Sequence, residues 1–580
     1  MPAWALTATV VAGLALAGVV AFLVVGVRSG PIRWVELLSS PVWDPARRRF
    51  GATAMIWGTV AVAGVAVLLA APLGWASAVA INEVVAPRWR RLLRAACEQL
   101  AVVPSIVYGL IGIAFLRPLV AGVTGSPGGD TLLTGGLILA VMVLPTVVAI
   151  SIDALAAVPA SAREAAAACG LTRMQIIRSA VVPHARRGLA AALLVGLARA
   201  LGETIAVFLL VGRADGVVPS SPGAAPATLA RPGQTLTTKL NGPESVLAGT
   251  SGPHWAALCA LGLLLLAVVA ALTLAGQHRA QRPLRRGRRQ AQPRLRAART
   301  GRALRDRAGR AGLLLALCVP LLAVAGIGVA VVANGAGALH PSFWWRPPAG
   351  ASGGGVRDQL VGTVLLVSTA GALAAPVGLG LGLVISEYSR PRASRWMRTL
   401  TLTLGGVPSI LLGLWGYWLF SAKLGWGKSW LAGAVVLAVM ALPVVVITVT
   451  AAMDSLPPER REAALAAGLR RDQVVRSVLV PRALPGLVTG LLLGLARAAG
   501  ETAPILFCAT VFAGASPFPG GLEQSPVTAL PTHIFNLAQD AADPAALGAA
   551  WSAALVLILV AGLLVLAAAP ARRRIERWAG

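Results

Sequence analysis

Two pairs of charged residues inside apolar stretches are the part of the sequence that could do chemistry. Arg199 and Glu203 form one pair, and Arg497 and Glu501 form the other. The spacing of four residues predicts that both side chains of a pair lie on one face of a helix. A guanidinium binds oxyanions through planar paired donors, and the neighbouring carboxylate would keep the anion from being held too tightly. The sequence predicts an anion pathway, and a static ion pair with only a packing role is the alternative.

The composition of the chain is that of a membrane protein. Of its 580 residues, 57% are hydrophobic and 13% are charged, against roughly 25% charged in soluble domains. The apolar residues form blocks of the ~20 residues that cross a bilayer core of about 30 Å. A charge at mid-bilayer costs at least ~2.5 kcal/mol, so the charged pairs must face the bundle interior or a water-filled path. We predict an all-α, polytopic transmembrane bundle.

Each half of the chain is expected to contribute six spans. The predicted spans of the first half are 4–27, 56–82, 97–116, 132–155, 188–212 and 255–276. Those of the second half are 311–333, 360–386, 400–420, 430–450, 486–512 and 547–570. The first block is expected to be a retained span rather than a signal peptide, because no Lys or Arg precedes Arg28.

The distribution of basic residues predicts the orientation. With the N-terminus inside, 36 of the 51 Lys and Arg residues lie in cytoplasmic segments and 13 lie outside. Cytoplasmic loops of membrane proteins carry this excess, so both termini are expected in the cytoplasm. The basic run 47–49, which this orientation places outside, is the one local feature that disagrees.

The two halves repeat each other in the same order, which predicts parallel repeats. The string "VPSIVYGLIG" from Val103 corresponds to "VPSILLGLWG" from Val407, at an offset of 304 residues. The string "GLARALGET" from Gly196 corresponds to "GLARAAGET" from Gly494, at an offset of 298. We divide the chain into a first half, 1–276, a linker, 277–310, and a second half, 311–580.

A short motif occurs twice, each time between the fourth and fifth spans. Its residues are Glu164, Ala165, Ala166 and Gly170 in the first half and Glu462, Ala463, Ala464 and Gly468 in the second. The spacing of Ser161 and Glu164 predicts a capping box at a helix start, and the glycine predicts a left-handed C-cap. Thr172 and Gln175 form a second possible box, absent from the second half, and Pro183 is expected to end the following helix.

The linker and the overall charge do not indicate nucleic-acid binding. The linker contains thirteen arginines and the chain has a net charge of +29, which suits a solvated or lipid-facing cytoplasmic segment. We expect it to act as a tether only, because the halves pack through their spans. The five cysteines and five histidines are scattered, so we expect no metal site and no disulfide framework.

The doubled E-A-A…G…P motif resembles the loop of ATP-binding-cassette (ABC) importer permeases. In detail, "GLARALGETIAVFLLVG" with "TLTTKL" from Thr235 resembles the C-type permease of the phosphate-specific transport (Pst) system. The string "GLARAAGETAPILF" with "ALPTHIFNLA" from Ala529 resembles its A-type partner. The resemblance covers essentially the whole chain, and it departs from the family in the fusion of the two subunits.

The resemblance implies the type I importer permease fold in the inner membrane, with phosphate as substrate. It implies that the two motifs dock on a dimeric ATPase, a separate protein that binds ATP-Mg. It also implies that an extracytoplasmic phosphate-binding protein delivers the anion. No cofactor and no catalytic residue are then expected in this chain. The family's transport residues correspond to Arg199, Glu203 and Arg497, with Glu501 added by the equivalence of the repeats.

Three rival functions remain open from the sequence. The same fold could move another oxyanion such as sulfate or molybdate, although "TAP" and "TIAV" after the charged pairs favour phosphate. A secondary transporter driven by an ion gradient also uses parallel repeats, but the doubled motif argues against it. The third rival is a sensory scaffold that reports phosphate status without transporting it.

Overall fold

The computed structural model describes residues 3–281, 302–349, 353–511 and 518–579. Within these ranges the chain is an all-α bundle with two short antiparallel hairpins. Trp43–Asp44 pairs with Arg49–Phe50, and Pro348–Ala349 pairs with Gly353–Gly354. Both hairpins follow the first helix of a half, so they are another feature that the two halves share.

The α-helices of the first half run from the first span to the start of the linker. They are Ala3–Val27, Trp34–Ser39, Thr53–Val79, Pro87–Gln99, Ser105–Ile111, Arg117–Thr124, Leu132–Ala156, Ala160–Ala168, Arg173–Ile176, Val182–Gly202, Ile205–Phe208, Ala225–Leu229, Leu236–Asn241, Glu244–Leu247 and Gly252–Gln281. Wider π-helical turns continue several of them at Ala80–Val84, Gly112–Leu116 and Ile177–Val181, and 3₁₀ turns lie at Pro127–Gly129 and Pro222–Ala224.

The second half repeats this order. Its α-helices are Arg302–Gly335, Pro341–Trp345, Arg357–Leu383, Pro391–Gly406, Ser409–Gly416, Trp430–Asp454, Pro458–Ala466, Arg471–Val474, Val480–Ala499, Ala503–Cys508, Leu530–Gln539 and Pro544–Ala579. Its π-helical turns are Val384–Tyr388, Tyr417–Lys423 and Val475–Leu479, and a 3₁₀ turn lies at Ala336–Leu339. The prediction of a polytopic helical bundle built from two repeats is confirmed.

The number of membrane-crossing helices agrees closely with the expected twelve. In the described ranges, ten helices are long and apolar enough to cross a bilayer, and the bent pair Pro391–Gly406 and Ser409–Lys423 would make eleven. The remaining predicted span corresponds to the apolar helix Gly13–Val27. The helices beside the linker extend further into it than predicted, and residues 282–301 of the linker lie outside the described residues.

The third span of each half was predicted wrongly as a single helix, at 97–116 and 400–420. The structure has an amphipathic helix, then a break at Pro104 or Pro408, then the apolar helix, and the second-half pair is bent by 90°. Proline cannot donate a helical hydrogen bond and forces the preceding residue out of the helical conformation. Val407 accordingly has extended backbone angles.

The fifth spans are also broken, which the predictions 188–212 and 486–512 missed. One helix ends at Gly202 and the corresponding helix ends at Ala499, each followed by a short helix, Ile205–Phe208 or Ala503–Cys508. Glycine destabilises a helix interior by about 0.5–1 kcal/mol. The short helix that follows resumes the regular helical hydrogen bonds, as in the bond from Phe208 N to Thr204 O at 2.9 Å.

A repeated Gly-Thr pair in the second span holds a short helix near the end of each half. Leu236 N donates to Thr59 Oγ1 and Leu530 N donates to Thr363 Oγ1, both at 2.9 Å. The glycine before each threonine has no room for a side chain, because a Cβ on Gly58 would collide with the Gln234 carbonyl. The same collision occurs in the second half, so both residues of the pair are required by packing.

Each half packs its first helix against the other half. The helix Ala3–Val27 lies against Arg357–Leu383 of the second half, and Arg302–Gly335 lies against Thr53–Val79 of the first half. Contacts across the halves include the Phe22 and Trp418 rings, 5.5 Å apart, and a hydrogen bond from Ser77 Oγ to Ala316 O at 3.1 Å. The fused chain therefore behaves as one intertwined bundle.

A buried cation organises the loops between the fifth and sixth spans of the first half. Lys239 exposes 1% of its side chain, and its ammonium lies 2.9 Å from Glu244 Oε1 and 3.2 Å from Asp215 Oδ1. Glu244 also accepts from Trp43 Nε1 at 3.3 Å, and His254 Nε2 lies 2.7 Å from its carboxylate. The hydrogen bond from His254, together with that from Lys239, lowers the pKa of Glu244 to about 2.

We expect Glu244→Gln to lower the thermal stability of the purified protein. The substitution removes one charge partner of a buried ammonium, and hydrogen bonds to charged groups are worth about 1.5–3 kcal/mol. Because the pKa of Glu244 is lowered in the folded state, its contribution should be full above the unfolded pKa of about 4.3 and lost as the pH falls towards about 2. Melting in detergent at pH 7 measures the effect.

Glu523→Gln is the matched control, since Glu523 is an exposed carboxylate in a loop. The double variant Lys239→Met, Glu244→Gln should lose less stability than the two single variants together, because it removes the whole pair. Equal melting temperatures for Glu244→Gln and Glu523→Gln would contradict this account of the loop.

Candidate functional site

A cavity of about 390 Å³ lies between the two halves. All four charged residues predicted from the sequence line it: Arg199, Glu203, Arg497 and Glu501. Hydroxyl and amide side chains from both halves complete the wall, among them Thr146, Ser105, Ser409 and Gln277. The sequence predicted the four charges, and the tertiary structure brings them into one space.

The carboxylates are positioned by the helix breaks rather than by a continuous helix. Arg199 lies in the last turn of Val182–Gly202, and Glu203 is the first residue after it, with extended backbone angles. Arg497 likewise lies in the last turn of its helix, and Glu501 follows the end of that helix. The prediction that each pair shares one helical face is therefore wrong, because the helix has ended before the carboxylate.

The breaks fit against prolines of the opposite half. Gly500 approaches Pro104 so closely that a Cβ on it would lie 2.8 Å from Pro104 Cβ. In the reciprocal contact, a Cβ on Gly202 would lie 3.7 Å from the Cα of Pro408. The repeated "VPS" strings, which the sequence analysis used only to align the halves, thus form the seam beside the charged residues. The sequence signal that could have predicted this seam was the recurrence of both the proline and the glycine motif in the two halves.

The two arginines are not equivalent. Arg199 Nη1 donates to Thr146 Oγ1 at 3.2 Å, and Arg199 is half-buried. Arg497 exposes 53% of its side chain, and its Nε lies 3.7 Å from Glu501 Oε1. At the repeat offset of 298 residues, the position of Thr146 is occupied by Val444, which has no hydroxyl. Arg497 is thus the guanidinium more accessible to an anion in the cavity.

The arrangement suits a small oxyanion. Guanidinium groups from opposite sides provide several N–H donors, and a partly enclosed cavity strengthens their attraction for an anion because the local dielectric constant is low. The two carboxylates repel anions and so weaken the hold on a bound one. Among the described residues, no cluster of three or more His, Cys, Asp or Glu side chains could hold a metal ion.

The motif between the fourth and fifth spans lies at the surface in both halves. We call residues 160–176 the first coupling segment and residues 458–474 the second coupling segment. Glu164, Ala165 and Gly170 are exposed, as are their counterparts Glu462, Ala463 and Gly468, and Ala166 and Ala464 are partly exposed. Each segment therefore presents a small-residue surface that the described part of the chain does not cover.

An ion pair that the sequence analysis missed anchors each coupling segment. Arg163 Nη2 lies 2.9 Å from Glu83 Oε1 and also donates to Leu155 O at 2.8 Å. In the second half, Arg461 Nη1 lies 3.3 Å from Glu387 Oε2. Both arginines directly precede the motif, and both glutamates end the second span, so their recurrence in the two repeats was the signal.

The left-handed C-caps in the coupling segments are confirmed. Gly170 has φ +70° and Gly468 has φ +84°, a conformation that glycine adopts without steric cost. One hydrogen bond of the predicted capping box forms, in which Thr172 N donates to Gln175 Oε1 at 2.9 Å. The second half makes the same bond, from Arg470 N to Gln473 Oε1 at 2.8 Å, so this bond does not require the threonine.

Two other details of the coupling segments were predicted wrongly. The helix Ala160–Ala168 begins after Pro159 without a side-chain cap, so Ser161 and Glu164 form no capping box. Pro183 does not end a helix, because helical structure runs from Arg173 to Gly202. The π-helical turn Ile177–Val181 precedes the proline, and Val182 N bonds to Ile177 O. This wider turn accommodates the missing N–H of proline.

Comparison with known proteins identifies the family. The family model described as "Binding-protein-dependent transport system inner membrane component" matches twice, over residues 70–280 and 378–577. The chain belongs to this family. The two matches fall in the two repeats, so the chain contains two family domains and is a multi-pass inner-membrane protein.

Individual relatives are named as transport permeases. The chain is 41% identical over 212 residues to the probable ABC transporter permease protein YqgH of Bacillus subtilis, which covers 36% of this chain and 66% of YqgH. It is 34% identical over 197 residues to the phosphate transport system permease protein PstC of Haemophilus influenzae, covering 30% and 62%. It is 34% identical over 228 residues to PstA 2 of Mycobacterium bovis, covering 39% and 75%. The chain thus spans slightly less than two thirds of the length of YqgH and of this PstC.

We expect Gly500→Ala to destabilise this protein at the seam between its two halves. The added methyl would lie 2.8 Å from Pro104 Cβ, and overpacking of this kind costs about 1–3 kcal/mol. The melting temperature in detergent should fall. Gly562→Ala is the control, because a Cβ there meets nothing within 4 Å, and alanine favours a helix. An unchanged melting temperature for Gly500→Ala would show that the seam is not closely packed.

Proposed function

We propose that the chain is the fused transmembrane part of an ABC importer that moves inorganic phosphate into the cytoplasm. The first half, 1–276, takes the role of a C-type permease subunit, and the second half, 311–580, takes that of an A-type subunit. The linker 277–310 joins them on the cytoplasmic side. Relatives named as PstC and PstA phosphate permeases support this assignment.

The observation that carries the proposal is the meeting of Arg199 and Arg497 in one cavity between the halves. An anion there binds donors from both halves at once, and relative movement of the halves then changes its affinity. Phosphate satisfies the planar donor pairs of the guanidinium groups, and Glu203 and Glu501 favour its release.

We propose that the cavity opens towards the side that we assign to the cytoplasm. Its wall includes Gln277, at the start of the linker, and Leu402, which follows a loop expected inside. The rings of Phe208 and Phe535, one from each half, lie 5.7 Å apart, and this contact is our proposed closure of the route on the opposite side. This arrangement suits the inward-open state of an alternating-access cycle, with both chain termini in the cytoplasm.

The coupling segments are the proposed contacts for the partner ATPase. Each exposes a small-residue helix surface onto which one subunit of an ATPase dimer docks, and the ATP-Mg binds in that partner and not in this chain. An extracytoplasmic phosphate-binding protein delivers the anion to the opposite side. We propose no cofactor and no catalytic residue in the permease itself.

Arg497→Gln tests the proposed substrate pathway. We expect phosphate uptake to fall at least about tenfold, since a hydrogen bond to a charged group is worth about 1.5–3 kcal/mol, while insertion stays normal. Arg497→Lys should restore little, because lysine lacks the planar paired donors. The measurement is uptake of labelled phosphate in cells without other phosphate importers, with membrane abundance determined by blotting and the ATPase detected by co-purification.

Arg28→Gln is the matched control, since it removes the same charge from an exposed position at the end of the first helix. Near-normal uptake by Arg497→Gln would mean that Arg497 and Glu501 form an ion pair with only a packing role. Uptake of sulfate or molybdate in preference to phosphate by the unaltered protein would instead assign the same fold to another oxyanion.

Thr146→Val tests the unequal roles of the two arginines. The variant removes the hydroxyl that holds Arg199 at 3.2 Å and makes this position identical to Val444 of the second half. We expect the KM for phosphate uptake to rise about tenfold, the factor corresponding to ~1.4 kcal/mol of lost hydrogen bonding. The reciprocal variant Val444→Thr should leave the KM within about twofold, because Arg497 pairs with Glu501 instead. Equal effects of the two variants would argue that the arginines are interchangeable.

A further inference from the structure

The first helix of the second half reaches the first coupling segment. Asp306, in the first turns of Arg302–Gly335, accepts a hydrogen bond at 2.9 Å from Met174 N through its Oδ1. Asp306 exposes only 11% of its side chain, and its Oδ2 lies 2.9 Å from Arg310 Nη2. A carboxylate from one half thus caps the start of a helix that belongs to the other half.

The same face of the helix makes a second close contact. Gly309, three residues after Asp306, packs so tightly on Met174 that a Cβ would lie 2.9 Å from Met174 Cε. A side chain at this position would require the Met174 side chain to shift. Asp306 and Gly309 therefore act together, one by bonding the Met174 amide and the other by admitting the Met174 side chain. The contact shows that the C-terminal end of the segment 277–310 is more than the tether expected from the sequence.

Among the residues that the structure describes, the second coupling segment has no matching contact. At the repeat offset of 298 residues, the position of Met174 is occupied by Asp472 and that of Thr172 by Arg470. Across the described ranges, no side chain of the first half accepts a hydrogen bond from Asp472 N. The two coupling segments, alike in motif and exposure, thus differ in how they are tied to the opposite half.

We propose that Asp306 is a positioning residue that ties the first coupling segment to the second half. Its carboxylate fixes the start of the helix Arg173–Ile176, so displacement of this segment moves the helix Arg302–Gly335, which packs against the second span of the first half. The inference rests on the proposed function in one respect only, namely that the first coupling segment is a contact for the ATPase. Under this inference, the first coupling segment is the one that transmits movement between the halves.

Hydrogen exchange of the full-length protein tests the contact itself. In Asp306→Ala we expect amides in a peptide covering 172–177 to exchange at least about fivefold faster, the factor that ~1 kcal/mol of lost capping gives at 1.4 kcal/mol per tenfold. Asp306→Asn keeps an acceptor oxygen and should retain most of the protection. Asp543→Ala is the matched control, because Asp543 Oδ1 accepts from Ala545 N at 2.9 Å in a distant loop; it should leave 172–177 unchanged.

Transport coupling tests the consequence. For the permease assembled with its ATPase, Asp306→Ala should lower the phosphate transported per ATP hydrolysed at least about threefold, and Asp306→Asn and Asp543→Ala should stay near the unaltered value. Unchanged exchange at 172–177 would overturn the inference whatever the substrate is. Faster exchange with unchanged coupling would overturn the transmission of movement. Failure of the unaltered protein to transport phosphate would refute the proposed function alone, and the exchange result would still decide the contact.

Discussion

Four ionisable side chains line a cavity inside a membrane-spanning bundle, and the surrounding structure is arranged around this constraint. A guanidinium or carboxylate facing lipid is costly, whereas one facing a hydrated cavity between two protein halves keeps favourable partners. The breaks at Gly202 and Ala499 place the carboxylates at that cavity. The prolines of the opposite half then close the seam beside them. The charged site and the interface between the halves are therefore one structural feature.

The two repeats share the features that hold each half together and differ at particular aligned positions. The Gly-Thr pairs, the anchoring arginines of the coupling segments and the π-helical turns occur in both halves. Differences occur at Thr146, which is equivalent to Val444 in the second half, and at Lys239, which is equivalent to His533.

Exchange of the first helices between the halves gives the fused chain a long interface. Arg302–Gly335 contacts the second span of the first half along the membrane and the first coupling segment at its base. One helix makes both contacts, and on our proposal it carries a change at the surface into the bundle. The proposal gives this end of the helix a mechanical role in addition to that of joining two domains.

The sequence by itself determined the membrane class, the two parallel repeats, the four charged residues inside apolar stretches and the repeated motif between the fourth and fifth spans. These features depend on composition, on local spacing and on self-similarity, all of which are visible without folding the chain. Only the tertiary structure decided that Pro104 packs on Gly500, that the two arginines are unequal, and that Asp306 reaches Met174. Each of these depends on contacts between residues distant in sequence, which no local pattern of helix-forming residues encodes, whereas the breaks in the third and fifth spans had local signals in their prolines and glycines.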